Sequence, residues 1–188
     1  MMRVQLLSPT DIDRLLPQIV QVFKAAYTPR PWYGSHCPPA AVVCRTFAQH
    51  RRLPGFRLAA ALFPPERLVG FGYGYVNDSG QWFHDFLTTR LGTAFAGHWL
   101  TKQYQLVELA VTPAERRQGI GRALHPYLLD GVATRSVLAA VQPGTPGHLF
   151  AAKLNYETVA FDVWFPISSA DQYVLATLRL PPELRTAN

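Results

Sequence analysis

The residues with the most chemical promise form one short run, Arg116, Arg117, Gln118, Gly119, Ile120, Gly121 and Arg122. A basic turn of this kind, entered from a strand and left by a helix, suits a pyrophosphate. Backbone N–H groups at a helix N-terminus point outward, the helix dipole favours negative charge, and glycines let phosphate oxygens approach the backbone. Other phosphate loops fit less well, because the lysine of a nucleoside-triphosphate loop is missing and the three-glycine dinucleotide fingerprint is incomplete. A second set, His36, Cys37, Cys44 and His50, carries metal-ligating types, but its Cys-x6-Cys-x5-His spacing lacks the short pairs of structural zinc sites. No metal site is expected.

The elements around the turn must position it. Residues 105–111 read as a strand, 112–118 as the turn, 119–132 as a helix and 137–141 as a strand, which makes a strand–helix–strand crossover. Upstream, a short strand over 2–7 leads to Ser8, Pro9, Thr10 and Asp11, a capping sequence that starts a helix ending near Tyr27. Pro17 lies inside that helix and predicts a kink or a break. A proline-rich loop with Trp32 and Tyr33 follows, then a helix over about 39–52. Strands over 56–63 and 68–76 are joined by Pro64, Pro65 and Glu66 as a hairpin. Gly70, Gly72 and Gly74 strip one face of the second strand, which either admits another backbone closely or marks a bulge. Residues 77–103 form an aromatic connection, too apolar for disorder, that contains a helix and packs on the body. A helix stopping near Asn155 and strands over 158–165 and 172–180 complete a mixed sheet. Pro126 predicts a kink in the helix after the turn.

Leu109-Ala110-Val111, then Arg116-x-x-Gly119-x-Gly121 and a helix, resembles the acetyl-CoA motif of the GNAT superfamily of N-acetyltransferases. The resemblance is tight over about 105–165 and loose over the whole order of elements. It implies an α/β fold with a mixed, largely antiparallel twisted sheet flanked by helices, a helical and aromatic insertion before the cofactor strand, and two central parallel strands that splay. It further implies acetyl-CoA as co-substrate. Leu109, Ala110 and Val111 lie on the cofactor strand, with backbone groups of Leu109 and Val111 holding the pantetheine arm. The segment Arg116, Arg117, Gln118, Gly119, Ile120, Gly121 and Arg122 takes the pyrophosphate. One departure stands out: the tyrosine that protonates the departing thiolate in many family members falls on Ala151 or Ala152 here, and Asn155-Tyr156 replaces Gly-Phe.

Acetyl transfer to a primary amine needs a base for the amine proton, donors for the developing carbonyl charge and an exit for the thiolate. Glu108, just ahead of the cofactor-contacting residues, is the first choice for the base. Its alternative is a half-buried strand carboxylate paired with an arginine. His84, Asp85 and His98 come next, either facing the acceptor or serving structure. Trp32, Tyr33, Trp82, Phe83 and Trp99 line an acceptor pocket or pack in the core. The absent tyrosine motivates a second reading, an acyl-CoA-binding regulatory protein of the same fold.

Composition sets the remaining bounds. A chain of 188 residues fits one globular domain, residues 1–188. Its formal net charge of +6, on a chain only 16% charged, favours anionic ligands. No dense Lys/Arg run interleaved with aromatics is present, so no nucleic-acid partner is expected. Two cysteines cannot form the disulfide framework of small secreted domains, and no apolar run suits a signal peptide or membrane span. These features lead to the expectation of a cytoplasmic protein without a membrane partner; the resemblance to the GNAT superfamily, in which the final strands often pair between subunits, adds the expectation of a homodimer.

Overall fold

The computed structural model describes residues 1–29, 37–165 and 172–180. The candidate pocket residues Trp32 and Tyr33 lie outside them, as does His36. The strands form a seven-stranded sheet in the order β1-β2-β3-β4-β5-β7-β6, with helices packed on it. The chain falls into two compact units, Met1–Tyr75 with Val107–Asp130, and Val76–Leu106 with the described residues from Gly131 on.

In the first unit, β1 (Arg3–Leu6), β2 (Arg57–Phe63) and β3 (Arg67–Asn77, to Tyr75) pair antiparallel in that order. Helix α1 (Pro9–Tyr27) starts where expected, with the Ser8 hydroxyl accepting from Asp11 N at 3.1 Å. It runs unbroken through Pro17. The amide that proline lacks would have bonded the Asp13 carbonyl, and both residues lie on the exposed face, where water can solvate that oxygen. Pro126 sits likewise in an unbroken α5 (Ile120–Leu129), with Arg122 as its exposed counterpart one turn back. Helix α2 (Ala40–His50) packs with α1 on one face of the sheet, where Leu15, Ile19, Phe23, Phe47, Phe71 and Tyr73 share a core.

The alternate face of β3 carries the glycines, because strand side chains alternate in direction. A Cβ at Gly70 would lie 3.0 Å from the Ala110 carbonyl oxygen and 3.2 Å from Ile120 Cγ2. One at Gly72 would lie 2.7 Å from Leu109 Cδ1 and 3.6 Å from Leu128 Cδ2. Close approach therefore accounts for the missing side chains at Gly70 and Gly72: they let the chain at Leu109–Ala110 and α5 settle against β3. The hairpin's register also shifts on β3 itself: Ala61 pairs with Gly70 and Leu62 with Leu68, which leaves Val69, next to Gly70, as the extra residue of a bulge.

In the second unit the connection expected to hold one helix holds three helical pieces: α3 (Trp82–Leu91), a short α4 (Thr93–Phe95) and a π-helical turn, Ala96–Leu100. Phe83, Leu87, Ala96 and Leu100 bury themselves against Leu138 and Leu175 of the sheet. Strand β4 (Gln103–Val111) starts two residues earlier than expected and pairs parallel with β5 (Ser136–Val141) from Gln103–Ser136 to Leu106–Ala139. β4 continues to Val111 and β5 to Val141. Beyond α6 (Pro146–Lys153), β6 (Glu157–Trp164) and β7 (Gln172–Arg179) are antiparallel, and β7 pairs antiparallel with β5. β6 is a sheet edge and exposes Phe161 and Trp164. Among the described residues, no helix is long and apolar enough to cross a membrane.

Candidate active site

The turn after β4 is built by short local contacts. Thr112 N donates to the Val69 carbonyl at 2.9 Å, and a single 3-10 turn, Pro113–Glu115, follows. The Glu115 carboxylate accepts from the Thr112 hydroxyl and from Arg67 of β3, and these two bonds hold it below the usual carboxylate range. Arg117 has φ 65° and Gly119 φ 80°, both left-handed. A Cβ at Gly119 would meet nothing within 4 Å, so the demand for glycine there comes from the backbone angle alone.

Helix α5 then opens without a side-chain cap, and its first backbone bond runs from Ala123 N to the Gly119 carbonyl at 2.9 Å. The N–H groups ahead of that bond point out of the helix end, where the dipole is positive. Arg117, Gln118 and Arg122 are exposed beside it. Arg116 departs from expectation. Its Nε donates to the Val111 carbonyl at 3.2 Å and its Nη2 to the Ala26 carbonyl at 2.7 Å, so its guanidinium is turned inward and ties the end of α1 to the end of β4.

The edge of β4 follows from the same geometry. Thr112 turns its N–H toward β3, so Ala110 and Glu108 do likewise, and Leu109 and Val111 present their backbone groups to the opposite edge. Two side chains reach the carbonyls there: Arg116 bonds Val111, and the Tyr27 hydroxyl donates to the Leu109 carbonyl at 3.3 Å. Ala110 is buried in the core that α1 and α2 cover.

Glu108 is partly buried, and its desolvated surroundings raise its carboxyl to about 7 from an ordinary 4.5, against the lowering effect of a hydrogen bond from Tyr27. Among the described residues Glu108 makes no ion pair, and its hydrogen-bond partner is Tyr27 rather than the arginine of the alternative reading. A carboxyl that titrates near neutrality suits proton transfer at physiological pH. Tyr27 went unnoticed in the sequence. Its only local signal was its place at the last position of α1.

His84 and His98 belong to the second unit and have partners of their own. His84, on α3, lies 3.1 Å from the Asp85 carboxylate. His98, on the π-helical turn, sits edge-on to Trp99 at 4.6 Å, with its Nε2 3.5 Å from Arg179 Nη2. Phe83 is core, whereas Trp82 is 53% exposed and stacks on Phe86. Ala151 is buried and Ala152 exposed. In the first unit, His50 Nδ1 lies 3.1 Å from the Tyr73 hydroxyl and burial lowers its pKa to about 4, while Cys37 packs against the apolar core.

No protein-family model matches the sequence, and no curated protein matches it. Solved structures do. The chain is similar to the ribosomal-protein-S18-alanine N-acetyltransferase of Escherichia coli, at 16% identity and a TM-score of 0.62 over 100% of this chain and 97% of that one. It is similar to Naa20 of Chaetomium thermophilum, solved with a bisubstrate analogue, at 17% identity and a TM-score of 0.59 over 95% and 86% of the two chains. A GNAT superfamily phosphinothricin acetyltransferase of Sinorhizobium meliloti, solved in complex with acetyl-CoA, matches at 14% identity and a TM-score of 0.60 over 95% and 88%. At these identities the likeness is one of fold. The protein has the GNAT acetyltransferase fold, as the resemblance of its turn implied.

Proposed function

We propose that this protein is a cytoplasmic acetyl-CoA-dependent N-acetyltransferase, a single catalytic domain that acetylates a primary amine. The observation that carries the reading lies on one stretch of chain. A carboxyl raised to about 7 at Glu108 is followed by a strand edge at Leu109 and Val111, a left-handed turn at Gly119 and the uncapped N-terminus of α5. The fold shared with acetyltransferases supports it, as does the acetyl-CoA bound to the phosphinothricin acetyltransferase.

The residues fit the co-substrate by their chemistry. Outward amides at the start of α5, with Arg117 and Arg122 beside them, suit the pyrophosphate. The N–H groups of Leu109 and Val111 suit the carbonyls of the pantetheine arm. Acetyl-CoA, when bound, supplies the thioester whose acetyl group is transferred. Glu108, as carboxylate, takes the proton of the acceptor amine, directly or through a water, while Tyr27 orients it. We assign no step to His84 or His98. With alanine at 151 and 152, no tyrosine at those positions protonates the thiolate, which leaves as such near neutral pH or takes its proton from water.

Calorimetry tests the cofactor half: acetyl-CoA binds the wild type and is lost on bulky substitution at Gly119 and Gly121. No binding to the wild type would sink the proposal. Release of free thiol across a panel of amines tests the catalytic half. Binding without release would favour the second reading, a regulatory acyl-CoA-binding protein, which the two alanines motivate.

A further inference from the structure

The second unit holds a cavity of about 330 Å³ lined by Trp99, Arg135, Ser136 and Arg179. That is within the lower range of small-ligand pockets, roughly 300–1,000 Å³. Its floor is fixed by the sheet. Ser136 opens β5 and is the register partner of both Gln103 on β4 and Arg179 on β7, so the three lie in one row across the strands on one face. The backbone around Arg135 is fixed as well: its N–H donates to the Lys102 carbonyl at 3.4 Å, and its carbonyl accepts from Leu180 N at 3.0 Å. The π-helical turn supplies Trp99.

Two exposed arginines thus line the same cavity as Ser136, and among the described residues neither is in an ion pair. The acids of the described ion pairs, Asp11, Asp13, Glu66, Asp85 and Glu115, all serve other cations. Arg179 is held in place without neutralisation. Its Cζ lies 5.2 Å from the centre of the Trp99 ring, within cation–π range, and its Nη2 is 3.5 Å from His98 Nε2. Gln103, the third member of the row, is fully buried and does not line the cavity, so Ser136 and the two arginines form its polar lining.

We propose that this cavity binds the phosphate group of a small phosphorylated molecule. Two forked, permanently charged donors match a dianion with several acceptor oxygens better than they match a single carboxylate. Ser136 adds one neutral hydrogen bond, and the indole supplies an apolar wall for the organic part. The site lies in the second unit, whereas the turn assigned to acetyl-CoA lies in the first, so the two proposals stand or fall separately.

The test is calorimetric titration of the full chain with inorganic phosphate, and with succinate as the carboxylate control. Phosphate binds the wild type, and Arg135→Met and Arg179→Met each weaken it about tenfold or more, the scale of a lost charge-assisted hydrogen bond. Arg179→Lys keeps the charge and loses the fork, so it weakens binding too. A variant with valine at Gly119 and Gly121 retains phosphate binding. Four results overturn the proposal: no binding to the wild type, succinate binding as tightly as phosphate, an unimpaired Arg179→Lys, or loss of phosphate only in the glycine variant. The last would place the phosphate at the α5 turn instead. Circular dichroism of each arginine variant separates lost binding from lost fold.

Discussion

Glu108 gives the most direct residue-level prediction, because its titration enters both rate and stability. As a base it works ionised, so kcat/KM rises with pH through a limb centred near 7, and Glu108→Gln removes that limb while lowering kcat by about 10²- to 10⁴-fold. Acetyl-CoA affinity stays, since the carboxylate is not part of the cradle. The Tyr27 hydrogen bond lowers the Glu108 pKa, so Tyr27→Phe moves the limb to higher pH. Unchanged limbs in both variants would remove Glu108 from the chemistry. Stability runs with the opposite sign to that of a salt-bridged acid. The folded pKa is raised from 4.5 to about 7, so the protonated form contributes stability that is complete below about 4.5 and lost as pH rises through 7. Melting curves therefore show Glu108→Gln gaining on the wild type across that window. A wild type that gains instead would indicate a stabilised carboxylate.

At the scale of elements, the glycines separate two kinds of requirement. Gly119 needs its left-handed φ but has empty space around a Cβ, so Gly119→Ala costs about 1 kcal/mol from conformation alone and raises the KM for acetyl-CoA by misaligning the amides. Gly70 has an ordinary φ but a backbone oxygen 3.0 Å from a Cβ, so Gly70→Ala pushes on the cofactor strand itself and costs about 1–3 kcal/mol. Urea titration of both variants, with KM alongside, checks the contrast. The crossover from β4 through α5 to β5 was legible in the sequence because period-two apolar runs, a glycine turn and a helical repeat all agreed. The glycine face of β3 was legible as a feature, but its close approach was not, since Leu109 and Ala110 are distant in sequence, and the bulge at Val69 beside it depends on how β2 pairs. The inward turn of Arg116 was hidden for the same reason: it depends on Ala26, which α1 brings up from ninety positions away. The continuity of α1 and α5 through their prolines depended on which face met solvent, which local propensity does not encode. The π-helical turn at Ala96–Leu100 left no periodic trace, and with it went any sign of the Trp99–Arg179 cavity.

The whole molecule carries 18 basic and 12 acidic residues, a difference of +6, and acetyl-CoA is a polyanion. Such an excess draws an anionic ligand from a distance, and salt weakens that draw as the Debye length shrinks from about 30 Å at 0.01 M to about 3 Å at 1 M. Over that range kcat/KM for acetyl-CoA falls while kcat at saturation holds, because screening acts on encounter rather than on the chemistry of the bound complex. The slope also tells whether the attraction is general or local. Removing the charges of Arg117 and Arg122, exposed beside the α5 N-terminus, and removing those of Arg3 and Arg45, exposed on β1 and α2, change the net charge equally. If the turn itself grips the pyrophosphate, the first pair flattens the dependence of kcat/KM on salt and raises KM, while the second leaves KM near wild type. Equal flattening by both pairs would mean that the basic balance steers the ligand without a local phosphate grip, and Arg117 and Arg122 would lose their place in the cradle.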